Sequence, residues 1–176
     1  MNERADIWSN AKRILGKDIL SIVMPVYNLE SKIAENLLQV KDFLDSSGLS
    51  YEIIPVDDGS PDLSAKKIEK SADEFPSVIR PVLLSGNKGK GNALKAGLRH
   101  AKGEYILLLD GDLDIKISYL PRFFDEMLEK NADIVIGSKR HPQSKVQYPW
   151  HRRLASMMYF CLVRMIAGLP ITDSQT

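Results

Sequence analysis

The sequence predicts an α/β fold in which helices cover both faces of a mostly parallel sheet. Three observations lead there. Short apolar runs alternate with helical patterns of about ten or more residues along most of the chain, which is the signature of βαβ units. The apolar runs are nearly continuous, as strands buried on both faces are. At 176 residues, 44% hydrophobic and 27% charged, the chain has the length and composition for one core of ordinary size.

Residues 1–18 read as a short N-terminal helical extension and residues 19–176 as the body of the fold. Leu20–Val26 (LSIVMPV) reads as a buried strand. Ser31–Ser47 reads as an amphipathic helix, with Ile33, Leu37, Leu38, Val40 and Leu44 near helical spacing. Tyr51–Val56 is a second strand, and Ser60-Pro61-Asp62 is a start signal for a helix over Leu63–Phe75. Ile79–Leu84 follows as a third strand and Asn92–Ala101 as a short helix. Tyr105–Leu109 is a fully apolar fourth strand, Leu120–Lys130 a helix, and Asp133–Gly137 (DIVIG) a fifth strand. The polar stretch Lys139–Pro149 leads into a last helix from Trp150 to Ala167.

Composition excludes several classes. Lys plus Arg number 24 against 23 for Asp plus Glu, a net charge of +1, so a nucleic-acid binder is not indicated. A single cysteine, Cys161, rules out an intrachain disulfide framework and a Cys-rich zinc site. It lies in an apolar run with Met157, Met158, Tyr159 and Phe160 and reads as core. The longest apolar stretch, Leu154–Ile171, is broken by Arg164 and Pro170, so it falls short of a membrane span. Residues 139–176 carry six basic side chains and one acidic, Asp173, an excess that would attract an anion or an anionic surface.

In an open parallel sheet ligands bind beyond the carboxyl ends of the strands. Tyr27-Asn28-Leu29-Glu30 follows the first strand, Asp57-Asp58-Gly59-Ser60 the second, and Gly86-Asn87-Lys88-Gly89-Lys90-Gly91 the third. Asp110-Gly111-Asp112-Leu113-Asp114 follows the fourth and Ser138-Lys139-Arg140-His141 the fifth. The alternating carboxylates Asp110, Asp112 and Asp114 repel one another unless a cation compensates. Hard ions such as Mg²⁺ or Mn²⁺ suit carboxylate oxygens and share them with phosphates. An isolated D-x-D is more often a solvated turn; its place at the end of a buried strand favours metal. Gly111 lets a ligand approach the backbone. Asp57 and Asp58 fit hydrogen bonds from base N–H or ribose hydroxyls.

The Gly86–Gly91 loop is neither a P-loop nor a dinucleotide fingerprint: Asn92 replaces Lys-Ser/Thr, and Leu94 stands where the third glycine belongs. It is a cationic loop before a helix N-terminus, suited to a diphosphate. Arg140, Arg152 and Arg153 form a candidate second anion site. His141 and His151 read as surface or capping residues.

Together these residues resemble family 2 inverting glycosyltransferases of the GT-A fold, and among them polyprenyl-phosphate transferases such as the dolichyl-phosphate mannose and glucose synthases. The resemblance rests on Pro25-Val-Tyr-Asn28, Val56-Asp-Asp-Gly-Ser-Pro-Asp62, Asn87-Lys-Gly-Lys-Gly-Asn-Ala93, Leu109-Asp-Gly-Asp-Leu113, Ile136-Gly-Ser-Lys-Arg140 and Thr172-Asp-Ser-Gln-Thr176. It implies a Rossmann-like three-layer α/β/α domain. It places Pro25, Tyr27, Asn28, Val56, Asp57 and Asp58 at the nucleotide, with Lys88, Gly89, Asp110, Gly111 and Asp112 along the donor. A Glu commonly follows Tyr-Asn in the family; here Leu29 intervenes and the donor-site position falls to Glu30.

The resemblance further implies a divalent metal, Mg²⁺ or Mn²⁺, on Asp110 and Asp112, with Asp114 able to complete the shell. A basic residue after the fifth strand contacts phosphate, and Lys139 or Arg140 stands there. These two, with Asp112, are the implied catalytic residues. Arg140, Arg152, Arg153 and Gln175 would hold the acceptor phosphate. The implied reaction moves a hexose from a donor of the UDP-glucose or GDP-mannose class to a polyprenyl phosphate, at the cytoplasmic side of a membrane. A sugar-hydroxyl acceptor or a non-catalytic nucleotide-sugar-binding domain are the alternatives. The family motif continues past Thr176 into Gly-Phe-Lys, so the chain is expected to be truncated at its C-terminal end.

Overall fold

A computed structural model describes residues 7–137. Within them a four-stranded sheet has the order β3-β2-β1-β4, with every pairing parallel. Its strands are β1 (Leu20–Val26), β2 (Tyr51–Asp57), β3 (Val82–Leu83) and β4 (Tyr105–Leu108). The helices are α1 (Ser9–Leu15), α2 (Ile33–Asp45), α3 (Ser64–Glu74), α4 (Lys90–His100) and α5 (Leu120–Lys130). A single 3₁₀ turn, Ile117–Tyr119, leads into α5.

Alternation along β1 divides the core. Leu20, Ile22, Met24 and Val26 face one side and join residues of α1, α2, α3 and α5, among them Leu15, Leu37, Ile68 and Phe124. On the other face Val23 packs with Ile54, Val56 and Ala93 of α4. The residues that face the sheet from α4 are small for a reason. A Cβ at Gly97 would lie 2.3 Å from Val23 Cγ1, so the helix backbone rests directly on β1. The N-terminal helix shares the larger core, with Trp8, Ala11 and Leu15 buried. The Trp8 and Phe43 rings meet at 5.2 Å, and Asn10 donates to Asp125 on α5.

Two expected strands differ from the structure, both for want of pairing. The third was expected over Ile79–Leu84, but the ladder holds only Val82–Leu83, with an isolated bridge at Ile79. Pro81 lies between these pieces, and an imide nitrogen cannot extend a ladder. Asp133–Gly137, expected as a fifth strand, carries no strand. Ile134 is 77% exposed. An apolar run becomes a strand only when a neighbour takes its N–H and C=O groups, and no described residue does so there. The expected last helix lies outside the described residues. The chain divides after Asn131, whose left-handed φ of 47° ends α5.

At the amino ends of the strands Glu52 ties four segments together. Its carboxylate accepts from Ser21 Oγ at 2.7 Å, Arg80 at 2.6 Å and the Lys102 amide at 2.6 Å. Burial pushes its pKa up, but the Lys102 amide, the Ser21 hydroxyl and the Arg80 guanidinium outweigh it and hold the carboxyl below its ordinary value. A depressed native pKa stabilises the fold above the unfolded value, and that contribution is lost as pH falls through the native one. Glu52→Gln should therefore cost about 1.5–3 kcal/mol at neutral pH. The gap to wild type should close as the pH falls below about 4.5, as read from urea melts at a series of pH values.

Candidate functional site

The sheet order reverses between β1 and β4, which is where an open α/β sheet leaves a crevice at its carboxyl edge. The crevice has a local cause. Pairing of β1 with β4 stops at Val23 and Leu108. Two residues on, Pro25 has no N–H to carry the ladder further. The chain leaving β4 then packs against the β1 exit through Gly111, where a Cβ would come within 2.9 Å of the Pro25 carbonyl oxygen. Asn36, buried on α2, donates to the Gly111 carbonyl at 2.7 Å and fixes that turn from below.

In this turn the Leu113 amide donates to the Asp110 carbonyl, and Asp112 Oδ1 accepts the Asp114 amide at 3.1 Å. Lys90, the first residue of α4, places its ammonium 2.6 Å from Asp110 Oδ1. Asp110 thus faces a position already suited to a cation. Among the described residues no three His, Cys, Asp or Glu side chains gather into a metal cage. The expected third ligand, Asp114, is not brought together with Asp110 and Asp112. Asp110 and Asp112 are the two carboxylates that would hold a divalent ion here, whose charge would offset theirs and that of a phosphate.

The two aspartates at the end of β2, Asp57 and Asp58, are both buried but are used differently. Asp58 accepts the backbone amides of Lys88 at 3.0 Å and Gly89 at 2.7 Å, which fastens the cationic loop to the β2 exit. Asp57 accepts the Ser60 amide on Oδ2 at 2.9 Å, and its Oδ1 is buried with no hydrogen-bond partner among the described residues. A buried carboxylate oxygen without a donor is costly, so this atom marks where a ligand N–H or O–H belongs. The β2 and β3 exits touch closely. Gly59 has a left-handed φ of 67°, and a Cβ there would sit 2.4 Å from Gly86 Cα. Any side chain at Gly59 would part the two loops.

The remaining expected site residues fall around this centre. Tyr27 and Asn28 are exposed at the β1 exit, and Asn28 adopts φ 56°. Pro25 is partly buried, while the Val56 side chain belongs to the core under α4. Lys88 and Gly89 are exposed in the loop before α4. Glu30 is committed to the local structure: its Oε2 accepts the Leu63 amide at 2.8 Å, and its carbonyl accepts Lys67 Nζ at 2.7 Å. Lys139, Arg140, His141, His151, Arg152, Arg153 and Gln175 lie outside the described residues.

The sequence reading missed Asn36, Lys90 as the partner of Asp110, and the Ser60–Ser64 turn. Asn36 had a findable signal, as a polar residue on a helix face otherwise built from Ile33, Leu37 and Val40. The other two pairings join segments far apart in sequence and left none.

Comparison with known proteins identifies the family. Residues 21–172 match the family described as glycosyl transferase family 2. An undecaprenyl-phosphate 4-deoxy-4-formamido-L-arabinose transferase from Edwardsiella ictaluri (strain 93-146) is 36% identical over 88% of this chain and 46% of its own length. A protein of the same name from Shewanella sediminis (strain HAW-EB3) is 36% identical over 89% and 46%. The chain thus spans about half the length of these relatives. Among solved structures, a mannosyltransferase from Pyrobaculum calidifontis in complex with GDP-Man and Mn²⁺ superposes with a TM-score of 0.52 at 26% identity, over 70% of this chain and 39% of that one. A glucosyl-3-phosphoglycerate synthase from Mycobacterium tuberculosis shares the fold, with a TM-score of 0.53 at 24% identity over 69% and 42%.

Proposed function

The chain belongs to glycosyl transferase family 2, and from that membership we propose that it transfers a sugar, with inversion, from a nucleoside-diphosphate donor to a polyprenyl phosphate. The observation that carries this reading is that the buried Asp57 oxygen, without a partner among the described residues, and the Asp110–Asp112 turn lie at the same carboxyl edge of the sheet. The names of the relatives support the lipid acceptor. The Pyrobaculum complex supports a nucleotide-sugar donor and a divalent ion.

Asp57 Oδ1 receives an N–H or O–H of the nucleoside, between Tyr27 and Asn28 on one side and the loop clamped by Asp58 on the other. Pro25 shapes the floor, Val56 supports it from the core under α4, and Glu30 holds the wall. The side chains of Lys88 and Lys90 face the diphosphate, from a loop whose Gly89 amide is held by Asp58. Gly111 seats its turn against the β1 exit and so sets Asp110 and Asp112, which would hold Mg²⁺ or Mn²⁺, beside the donor. The metal, when bound, neutralises charge growing on the departing nucleoside diphosphate. Lys139 or Arg140 adds a second cation there.

Arg140, Arg152, Arg153 and Gln175 present the acceptor phosphate, whose oxygen attacks the anomeric carbon as the bond to the donor phosphate breaks. An acceptor that is already an anion needs no strong general base, and no histidine is assigned one. The substrate places the reaction at the cytoplasmic face of a membrane. Among the described residues no helix is long and apolar enough to cross one.

The test is a panel of radiolabelled UDP- and GDP-sugars offered to the full-length protein with undecaprenyl-phosphate vesicles and Mn²⁺ or Mg²⁺. Chelator-sensitive, lipid-linked product from one donor is expected. Hydrolysis alone, or no lipid-linked product with any donor, would contradict the reading.

A further inference from the structure

The exit of β1 is held by a turn that lies more than thirty residues further along the chain. Three successive backbone amides all donate to side chains of one short segment: Asn28 to Ser60 Oγ at 2.9 Å, Leu29 to Ser64 Oγ at 2.8 Å, and Glu30 to Asp62 Oδ2 at 3.0 Å. The bonding is reciprocal, because Glu30 Oε2 accepts the Leu63 amide and the Glu30 carbonyl accepts Lys67 Nζ. Asp62 also accepts the Ser64 amide on its other oxygen at 2.9 Å. Burial raises the Asp62 pKa, but its bonds to Ser64 and to the Glu30 amide outweigh that and hold it below the ordinary value.

One residue joins this lattice to the candidate pocket. The Ser60 amide donates to Asp57 Oδ2 at 2.9 Å, while the Ser60 hydroxyl accepts the Asn28 amide. The first bond occupies one oxygen of Asp57 and leaves the other, buried Oδ1 for a ligand. The second holds Asn28 at φ 56°, a left-handed conformation that asparagine tolerates better than most non-glycine residues. Ser60 therefore fixes both walls of the same cleft through a single side chain and its own backbone.

We infer that Ser60 is a positioning residue for the nucleotide. It orients Asp57 and the Tyr27–Asn28 turn together, so that the pocket is arranged before the donor arrives. Preorganisation of this kind shows as affinity, because a loop already in its bound shape has less freedom left to lose. Its role presupposes a nucleotide at Asp57. Ser60 touches no reacting atom, so its loss should weaken binding without abolishing it. The Ser60→Ala variant keeps the amide bond to Asp57 and removes only the hydroxyl that receives Asn28. Ser60→Thr keeps an acceptor oxygen at the same place.

The experiment titrates UDP and GDP, with Mn²⁺, into the full chain and three variants by calorimetry, with a thermal melt of each. Ser60→Ala should bind the preferred nucleotide roughly five- to tenfold more weakly, with its melting temperature held within a few degrees. Ser60→Thr should return to within about twofold of wild type. Glu52→Gln, at the opposite end of the strands, should melt earlier and bind as wild type does, which separates stability from positioning. Hydrogen exchange at the Asn28 and Leu29 amides should quicken in Ser60→Ala alone. Wild-type affinity in Ser60→Ala, or a loss that Ser60→Thr does not restore, would overturn the inference while the functional reading stood. A wild-type chain that binds neither nucleotide would overturn both.

Discussion

Asp112→Asn is expected to lower sugar transfer about 10²- to 10³-fold while leaving the melting temperature unchanged. The choice of asparagine follows from the turn. Asp112 Oδ1 accepts the Asp114 amide, and an asparagine carbonyl can keep that bond, so the backbone survives while the charge is lost. What disappears is half of the carboxylate pair proposed to hold the metal against the donor diphosphate. Nucleotide affinity should fall in the presence of Mn²⁺ and change little in its absence. The measurement is turnover with saturating lipid acceptor, beside calorimetry with and without chelator. Unchanged turnover would remove Asp112 from the mechanism. Asp110→Asn has a second consequence, because it also releases the Lys90 ammonium that sits 2.6 Å away.

The second large effect is expected on the acceptor side. Arg152→Ala and Arg153→Ala should each raise KM for polyprenyl phosphate roughly 10- to 150-fold, the equivalent of one charge-assisted hydrogen bond. Donor affinity should hardly move. The ground is the charge distribution: after Asp133 the chain carries no acid until Asp173, and Arg forks match phosphate geometry. Steady-state kinetics with the lipid varied at fixed donor will show it. Normal KM in both variants would place the acceptor site elsewhere.

Much of the architecture was legible because its physics is local. β1, β2 and α5 stand within a residue of where apolar periodicity set them, since each buries a face that the sequence itself writes. β3 was overextended, because the run from Ile79 to Leu84 looks apolar whether or not Pro81 interrupts its ladder. The strand expected at Asp133–Gly137 failed on the same ground: periodicity reports a face that can be buried, and pairing depends on a partner elsewhere.

At the site, position was legible and partnership was not. Spacing identified Asp57 and Asp58 as a pair after a strand. Only the structure separates the oxygen that awaits a donor from the carboxylate spent on the Lys88 and Gly89 amides. Glu30 lies one place beyond the family position for a Glu, and its carboxylate caps the start of α3. Ser60, Asp62 and Ser64 looked like an ordinary helix start, and their bonds to the β1 exit cross about thirty residues that no periodicity spans.

The central claim, that the carboxyl edge of the sheet is a metal-assisted nucleotide-sugar site, is tested most directly by calorimetric titration of UDP and GDP into the full chain. The titration is run with Mn²⁺, then with chelator, and repeated with Asp112→Asn. The account predicts one preferred nucleotide, whose affinity drops sharply when the metal is removed or Asp112 is neutralised. Binding that is independent of metal and unchanged in Asp112→Asn would contradict it.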